Sequence, residues 1–143
     1  MADLFDKLKR SEIMSKVHGA NTKPEMIVRH TLFGLGYRYR LHRKDLPGKP
    51  DIVLPKYKTV VFVHGCFWHG CPKCRHAQIR PQNNAEYWNR KLNGNIERDL
   101  SNQQKLKELG WNVLVVWECE TKKANLELLT LRLRNEISLK RIL

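Results

Sequence analysis

The chain has 143 residues, enough for one domain with a two- or three-layer core, and no repeat, low-complexity tract or linker divides it. Its 27 Lys and Arg against 14 Asp and Glu leave a formal charge of +13, which repels itself and calls for a polyanionic partner, most commonly nucleic acid. The longest apolar runs, such as residues 60–63 and 113–117, are too short to span a bilayer, and no segment pairs a basic face with a strongly apolar one, which argues against a membrane role.

Residues 1–20 are polar and basic with scattered apolar positions, and lack the apolar stretch of a secretory signal. They read as an N-terminal arm or short helix of a cytoplasmic chain. Thr22-Lys23-Pro24-Glu25 has the pattern of a helix start, with Thr22 near the cap and Glu25 in the first turn, where the helix dipole favours an acid. Met26, Ile27, His30, Thr31 and Leu35 are expected to cover one face, and Gly36 to stop the helix. Residues 37–41 alternate as a half-buried strand does. A turn at Leu46-Pro47-Gly48-Lys49-Pro50 leads into a strand over 51–54. Residues 59–63 are apolar on both faces, as in a central strand. A helix is expected over 85–109 with a break at Asn93-Gly94, then a buried strand over 112–117 and a closing amphipathic helix over 124–140. Helices on a mixed sheet give an α/β or α+β sandwich.

Four cysteines are present: Cys66, Cys71, Cys74 and Cys119. Cys71-Pro72-Lys73-Cys74 has the C-x-x-C spacing whose tight turn points two thiolates at one tetrahedral metal. Cys66 offers a third ligand from just upstream and Cys119 a fourth from a distant element. A reducing compartment favours Zn²⁺ over a disulfide, and a redox C-x-x-C would leave Cys66 and Cys119 unexplained. Cys66 and Cys119 each lie just past the end of an apolar strand. If those strands are neighbours, both thiols meet at one edge of the sheet.

Several groups near this loop could perform chemistry. Asp51 opens a strand, and about a dozen residues later another ends at Val63-His64. A carboxylate in that position can hold Mg²⁺ while leaving sites for a phosphate oxygen and water, with the Val63 carbonyl as a further donor. Glu25 is the natural second carboxylate. His64 and His69 flank the cysteine loop, and a histidine near neutrality can take a proton from water; Asp99 could hold one imidazole in its working tautomer. Each has an ordinary alternative as well. Asp after Pro is a common turn residue, and a histidine beside C-x-x-C is as often a zinc ligand as a base. Asp99 suits a solvated helix face, Phe67 and Trp68 suit local packing, and Trp88 could anchor its helix.

Taken together, Arg10-Ser11, Thr22-Lys23-Pro24-Glu25, Leu46-Pro47-Gly48-Lys49-Pro50-Asp51, Val63-His64-Gly65-Cys66-Phe67-Trp68-His69, Asn95-Ile96-Glu97-Arg98-Asp99, Leu109-Gly110-Trp111 and Val116-Trp117-Glu118-Cys119 resemble the Vsr family of very-short-patch-repair DNA mismatch endonucleases over nearly the whole chain. The resemblance implies a single domain, residues 1–143, with a restriction-endonuclease-like three-layer α/β fold: a central mixed sheet flanked by helices, carrying a structural zinc site. It also implies nicking of one strand of double-stranded DNA 5′ of the thymine in a T·G mismatch, the lesion left when 5-methylcytosine deaminates, and so a functional link to a cytosine-5 DNA methyltransferase.

By the same resemblance, Asp51 and the Val63 carbonyl bind catalytic Mg²⁺, Glu25 and His64 assist through water, His69 is the general base and Asp99 its partner. Phe67, Trp68 and Trp88 match the aromatics that wedge into the duplex. A monomer suffices to nick one strand, and the bacterial cytoplasm, on nucleoid DNA, is the expected location. Two departures stand out. The family's zinc loop often includes a histidine, whereas all four candidate ligands here are cysteines. Val63-His64 occupies the place where restriction-type nucleases usually carry an acid and a lysine. Two other readings are a restriction-like nuclease of different specificity and a catalytically silent zinc DNA-binding module.

Overall fold

The structure is a computed structural model that describes residues 21–74 and 79–139. The expected arm over 1–20 lies outside the described residues. Among the described residues, four helices and four strands follow in order: α1 (Lys23–Gly34), β1 (Arg40–Leu41), β2 (Ile52–Leu54), β3 (Thr59–His64), α2 (Cys66–His69), α3 (Ala85–Glu108), β4 (Asn112–Trp117) and α4 (Leu126–Leu139). Short 3₁₀ turns join β2 to β3 and β4 to α4.

The strands form one mixed sheet in the order β1-β2-β3-β4. β1, β2 and β3 make an antiparallel meander, whereas β3 and β4 are parallel and connected through α3. Alternation along the strands divides the core between the two faces of the sheet. Ile52, Leu54, Val61, Leu114 and Val116 pack with Val28 and Leu32 of α1 and with Leu129, Leu133 and Ile137 of α4. Val53, Val60 and Phe62 point the other way, onto Leu106 of α3. The result is a three-layer α/β arrangement compatible with the restriction-endonuclease-like fold. Burial of each such aliphatic side chain contributes on the order of 1.5–3 kcal/mol.

Several local expectations change. Thr22 does cap α1, its Oγ1 accepting from the Glu25 N–H at 3.4 Å, and Gly36 follows the helix at φ +93°. The buried face of α1, however, is Glu25, Val28, Arg29 and Leu32, not the face running through Met26, Ile27 and His30. The charged pair is buried because its members satisfy each other. Only Arg40–Leu41 of the expected 37–41 strand is paired in the sheet, although Tyr37 is buried. No break occurs at Asn93-Gly94. A glycine costs about 1 kcal/mol relative to alanine in a helix, and here buried Leu92 and the Asn95 amide, which donates to the Trp68 carbonyl at 3.2 Å, hold the turn. The closing helix begins at Leu126 because residues 123–125 form a 3₁₀ turn.

Candidate active site and metal centre

The parallel register sets His64 opposite Trp117, so the chain leaves β3 and β4 at the same end of the sheet. Cys66 and Cys119, each two residues beyond, meet there as the neighbouring-strand condition requires. Sulfur atoms of Cys66, Cys71 and Cys119 lie within 4.8 Å of one another, those of Cys71 and Cys119 at 3.8 Å. That separation fits the edge of a tetrahedron with metal–sulfur bonds of about 2.3 Å. Cys74, half-buried, packs against this cluster. Burial pushes the Cys66 and Cys119 thiols up. An all-sulfur donor set of this size suits a closed Zn²⁺ site.

The loop between the cluster and β3 carries the other candidates. Cys66–His69 forms one helical turn that ends at Gly70, whose φ of +70° favours glycine. A Cβ there would lie 2.7 Å from Ile96 Cδ1 of α3, so the loop sits tight against that helix. Its last residue, His69, has Nδ1 2.6 Å from Asp99 Oδ2 on α3. An ionised carboxylate can only accept, so Nδ1 carries the proton and a neutral His69 has its lone pair on Nε2. The His64 ring stacks on that of His69. Burial, followed by the charge of His69, lowers the His64 pKa to about 4. His64 Nδ1 is buried without a hydrogen-bond partner among the described residues.

Asp51 precedes β2, and its Oδ2 accepts the Val63 N–H at 2.8 Å. Burial raises its pKa to about 6 despite that hydrogen bond, and nearby Glu25 adds to the rise. The rise is chiefly an effect of burial, and the nearby His42 and His69 oppose it. Glu25 is only 1% exposed. Its Oε2 accepts from Arg29 and from His42 Nε2, the latter at 2.9 Å. Glu25, Asp51, Val63, His64, His69 and Asp99 all line one cleft of about 690 Å³.

Arg29 and His42 were not singled out in the sequence. Arg29 is four residues from Glu25 on α1, a spacing that puts the two on one face. His42 follows β1, and its N–H donates to the Asp51 carbonyl at 3.0 Å, a pairing that depends on the hairpin register.

An aromatic group adjoins the cleft. Phe67 lies 5.1 Å from Trp68 and 5.9 Å from Trp88 between ring centroids, and Trp68 lies 5.8 Å from Trp88. Phe67 and Trp68 line the cleft, but Trp68 is largely buried at 8% exposure. Tyr87, also absent from the sequence candidates, is exposed and packs on Trp88. Lys91 Nζ lies 5.8 Å from the centroids of both the Trp68 and Tyr87 rings. No helix among the described residues is long and apolar enough to cross a membrane.

The family described as "DNA mismatch endonuclease Vsr" matches residues 2–75. The Type II nicking enzyme V.NmeAIP of Neisseria meningitidis is 52% identical over 122 residues, covering 85% of this chain and 86% of that protein. The Type II nicking enzyme V.XorIIP of Xanthomonas oryzae is 47% identical over 135 residues, covering 94% and 96%. The DNA mismatch endonuclease Vsr of Escherichia coli is 41% identical over 119 residues, covering 83% and 75%. A family match over half the chain, joined to relatives that align over most of it, is decisive: the chain belongs to the Vsr family of DNA mismatch endonucleases.

Proposed function

We propose that the protein is a Mg²⁺-dependent, zinc-stabilised DNA endonuclease that nicks one strand 5′ of the thymine in a T·G mismatch. The observation that carries this reading is one cleft lined both by Asp51, a buried carboxyl, and by the His69–Asp99 pair. A silent DNA-binding module has no use for carboxylates beside phosphate, where they repel. The names of the relatives, a mismatch endonuclease and two nicking enzymes, agree with it.

In this reading Asp51 and the Val63 carbonyl hold Mg²⁺, with Glu25 and His64 acting through water. Their oxygen donors suit that ion, which when bound would polarise the phosphate and offset its developing negative charge. His69 Nε2 takes a proton from the attacking water as the oxygen–phosphorus bond forms and the bond to the leaving sugar oxygen breaks. Asp99 fixes the tautomer and stabilises the imidazolium. Cys66, Cys71, Cys74 and Cys119 hold Zn²⁺ and thereby set the loop that presents His69.

Phe67, Trp68 and Trp88 form a wedge that unstacks the duplex at the mispaired step, where stacking is already weakened. The +13 charge supplies sequence-independent attraction to phosphate. A T·G lesion from deaminated 5-methylcytosine ties the enzyme to a cytosine-5 DNA methyltransferase, and it acts as a monomer on nucleoid DNA in the cytoplasm.

The test is a gel assay with T·G-mismatched and matched duplexes, each with Mg²⁺ or with chelator. Mg²⁺-dependent nicking of the mismatched duplex on the thymine strand is expected. Equal cutting of matched DNA would make the protein a restriction-like nuclease, and binding without cutting would make it a recognition module.

A further inference from the structure

A phosphate entering the cleft beside Asp51 gains negative charge as water adds to it, and a cation already aimed at it would offset that charge. Arg29 is not free to do so, because it donates to Glu25 and to Asn21 Oδ1, the latter at 2.6 Å. Lys23 and Lys49 also line the cleft, and among the described residues neither makes an ion pair. The two differ in how the backbone holds them. Lys23 opens α1. Lys49 stands two residues before Asp51, in a stretch of chain pinned on both sides. A Cβ on Gly48 would meet Asn102 Cβ of α3 at 2.9 Å and the Phe62 ring of β3 at 3.2 Å, so the turn runs tight against both elements. The Lys49 N–H donates to the Leu46 carbonyl at 3.1 Å, and Pro50 after it is buried. Lys49 itself has φ +49°, a left-handed conformation that glycine or asparagine adopts with less strain. An exposed, unpaired ammonium is thus rooted beside Asp51 at a position that local conformation does not favour for lysine.

We propose that Lys49 is a catalytic residue whose ammonium group binds a non-bridging oxygen of the scissile phosphate and offsets the charge that builds there in the transition state. Lys49 keeps its protons throughout. The water's proton goes to His69 as its oxygen bonds to phosphorus, and the leaving sugar oxygen takes the electron pair of the bond that breaks. The fixed turn leaves only the lysine stem to be ordered, which lowers the entropy lost on contact. The proposal rests on the reading of this cleft as the nicking site.

The experiment uses the full zinc-loaded chain and a T·G duplex with Mg²⁺, in single turnover with enzyme at saturating excess. Lys49→Gly suits the left-handed backbone, so it should melt no lower than wild type. It should nick about 10²-fold more slowly, the usual effect of removing one donor to a developing oxyanion, with a much smaller loss of duplex binding. Lys49→Arg should recover most of the rate. Lys23→Ala should weaken binding to matched and mismatched duplexes alike and leave the saturated rate unchanged. Sulfur placed at each non-bridging oxygen of the scissile phosphate in turn gives a second readout. At the oxygen that Lys49 touches, sulfur should slow wild type but slow Lys49→Gly no further.

A saturated Lys49→Gly rate within about threefold of wild type overturns the proposal. So does an equal rate loss in Lys23→Ala, which would make the effect one of overall cleft charge. Sulfur effects that are the same in Lys49→Gly as in wild type at both oxygens overturn it too. An Asp51→Asn variant separates the two readings. If it abolishes nicking while Lys49→Gly nicks as wild type does, only the role of Lys49 falls. If Asp51→Asn nicks as wild type does, the placement of the nicking site at Asp51 falls, and the role of Lys49 with it.

Discussion

The imidazole rings of His64 and His69 stack face to face, their centroids 4.0 Å apart and their planes 9° from parallel. Two cationic rings at that distance would repel strongly, and burial already disfavours charge on His64, whose pKa is lowered to about 4. Only His69 is hydrogen-bonded to the nearby carboxylate, Asp99. The stack separates the roles of two histidines that look alike in the sequence.

His69→Ala should slow nicking by roughly 10²–10⁴-fold, the usual contribution of a general base. Asp99→Asn should leave zinc content and duplex binding intact but lower the single-turnover nicking rate, because the amide no longer stabilises the imidazolium. Rates within about tenfold of wild type for His69→Ala, only ~1.4 kcal/mol of barrier, would remove His69 from the role of base.

Asp51→Asn should abolish nicking and at the same time stabilise the metal-free fold at pH 7. The folded-state pKa of about 6 exceeds the ordinary value of 3.8, so the folded protein holds this proton more tightly than the unfolded chain. Its stabilisation is fully present below pH 3.8 and is lost as pH rises through 6, a penalty on the order of 3 kcal/mol by pH 7. The lowered His64 pKa acts in the opposite sense: its stabilisation is present above pH 6.5 and is lost as pH falls toward 4. Urea denaturation in magnesium-chelating conditions at pH 5 and pH 7 checks both effects. The variant should gain most over wild type at pH 7, and its own stability should drop toward pH 5.

Native protein should contain one zinc per chain, measured by elemental analysis, with its thiols slow to react until the metal is removed. Cys119→Ala should lose the metal, lower the melting temperature and suppress nicking together, since metal binding and folding are coupled. Four rapidly reacting thiols in zinc-free, fully active protein would contradict the assignment.

Phe67→Ala and Trp88→Ala should weaken binding to a T·G duplex more than to a matched duplex at fixed salt, by ~1–3 kcal/mol for a stacking side chain. Trp68→Ala should behave differently. At 8% exposure and packed on Phe67 and Trp88, Trp68 is also part of the protein's own packing, so its removal should destabilise the protein as well as weaken binding. Equal losses on both duplexes for Phe67→Ala and Trp88→Ala would reduce the cluster to core packing.

Much of this arrangement could be read from the chain. Val60–Val63 and Val113–Val116 are apolar enough to require strands of the sheet, and a cysteine shortly past each was sufficient to bring Cys66 and Cys119 together once β3 and β4 paired. Thr22 and Gly36 bracket α1 by local chemistry alone. The buried face of α1 was not legible, because Glu25 and Arg29 look like surface residues and become buriable only through each other. His42 stayed hidden for a different reason: it gains meaning from the β1–β2 register, set by a turn whose geometry its residues do not dictate. The expected helix break at Asn93-Gly94 failed because contacts from outside the helix outweighed glycine's local cost.

The parallel pairing of β3 and β4 has a consequence for how the protein comes into being. The loop from His64 to His69 is anchored by partners that come much later in the chain: Asp99 and Asn95 on α3, Trp117 beside His64, and Cys119, 48 residues after Cys71. A chain emerging from the ribosome therefore carries both histidines long before anything can set them in place. Until β4 docks, such a partly made nuclease has its chemical groups but not their alignment, and DNA nearby is spared.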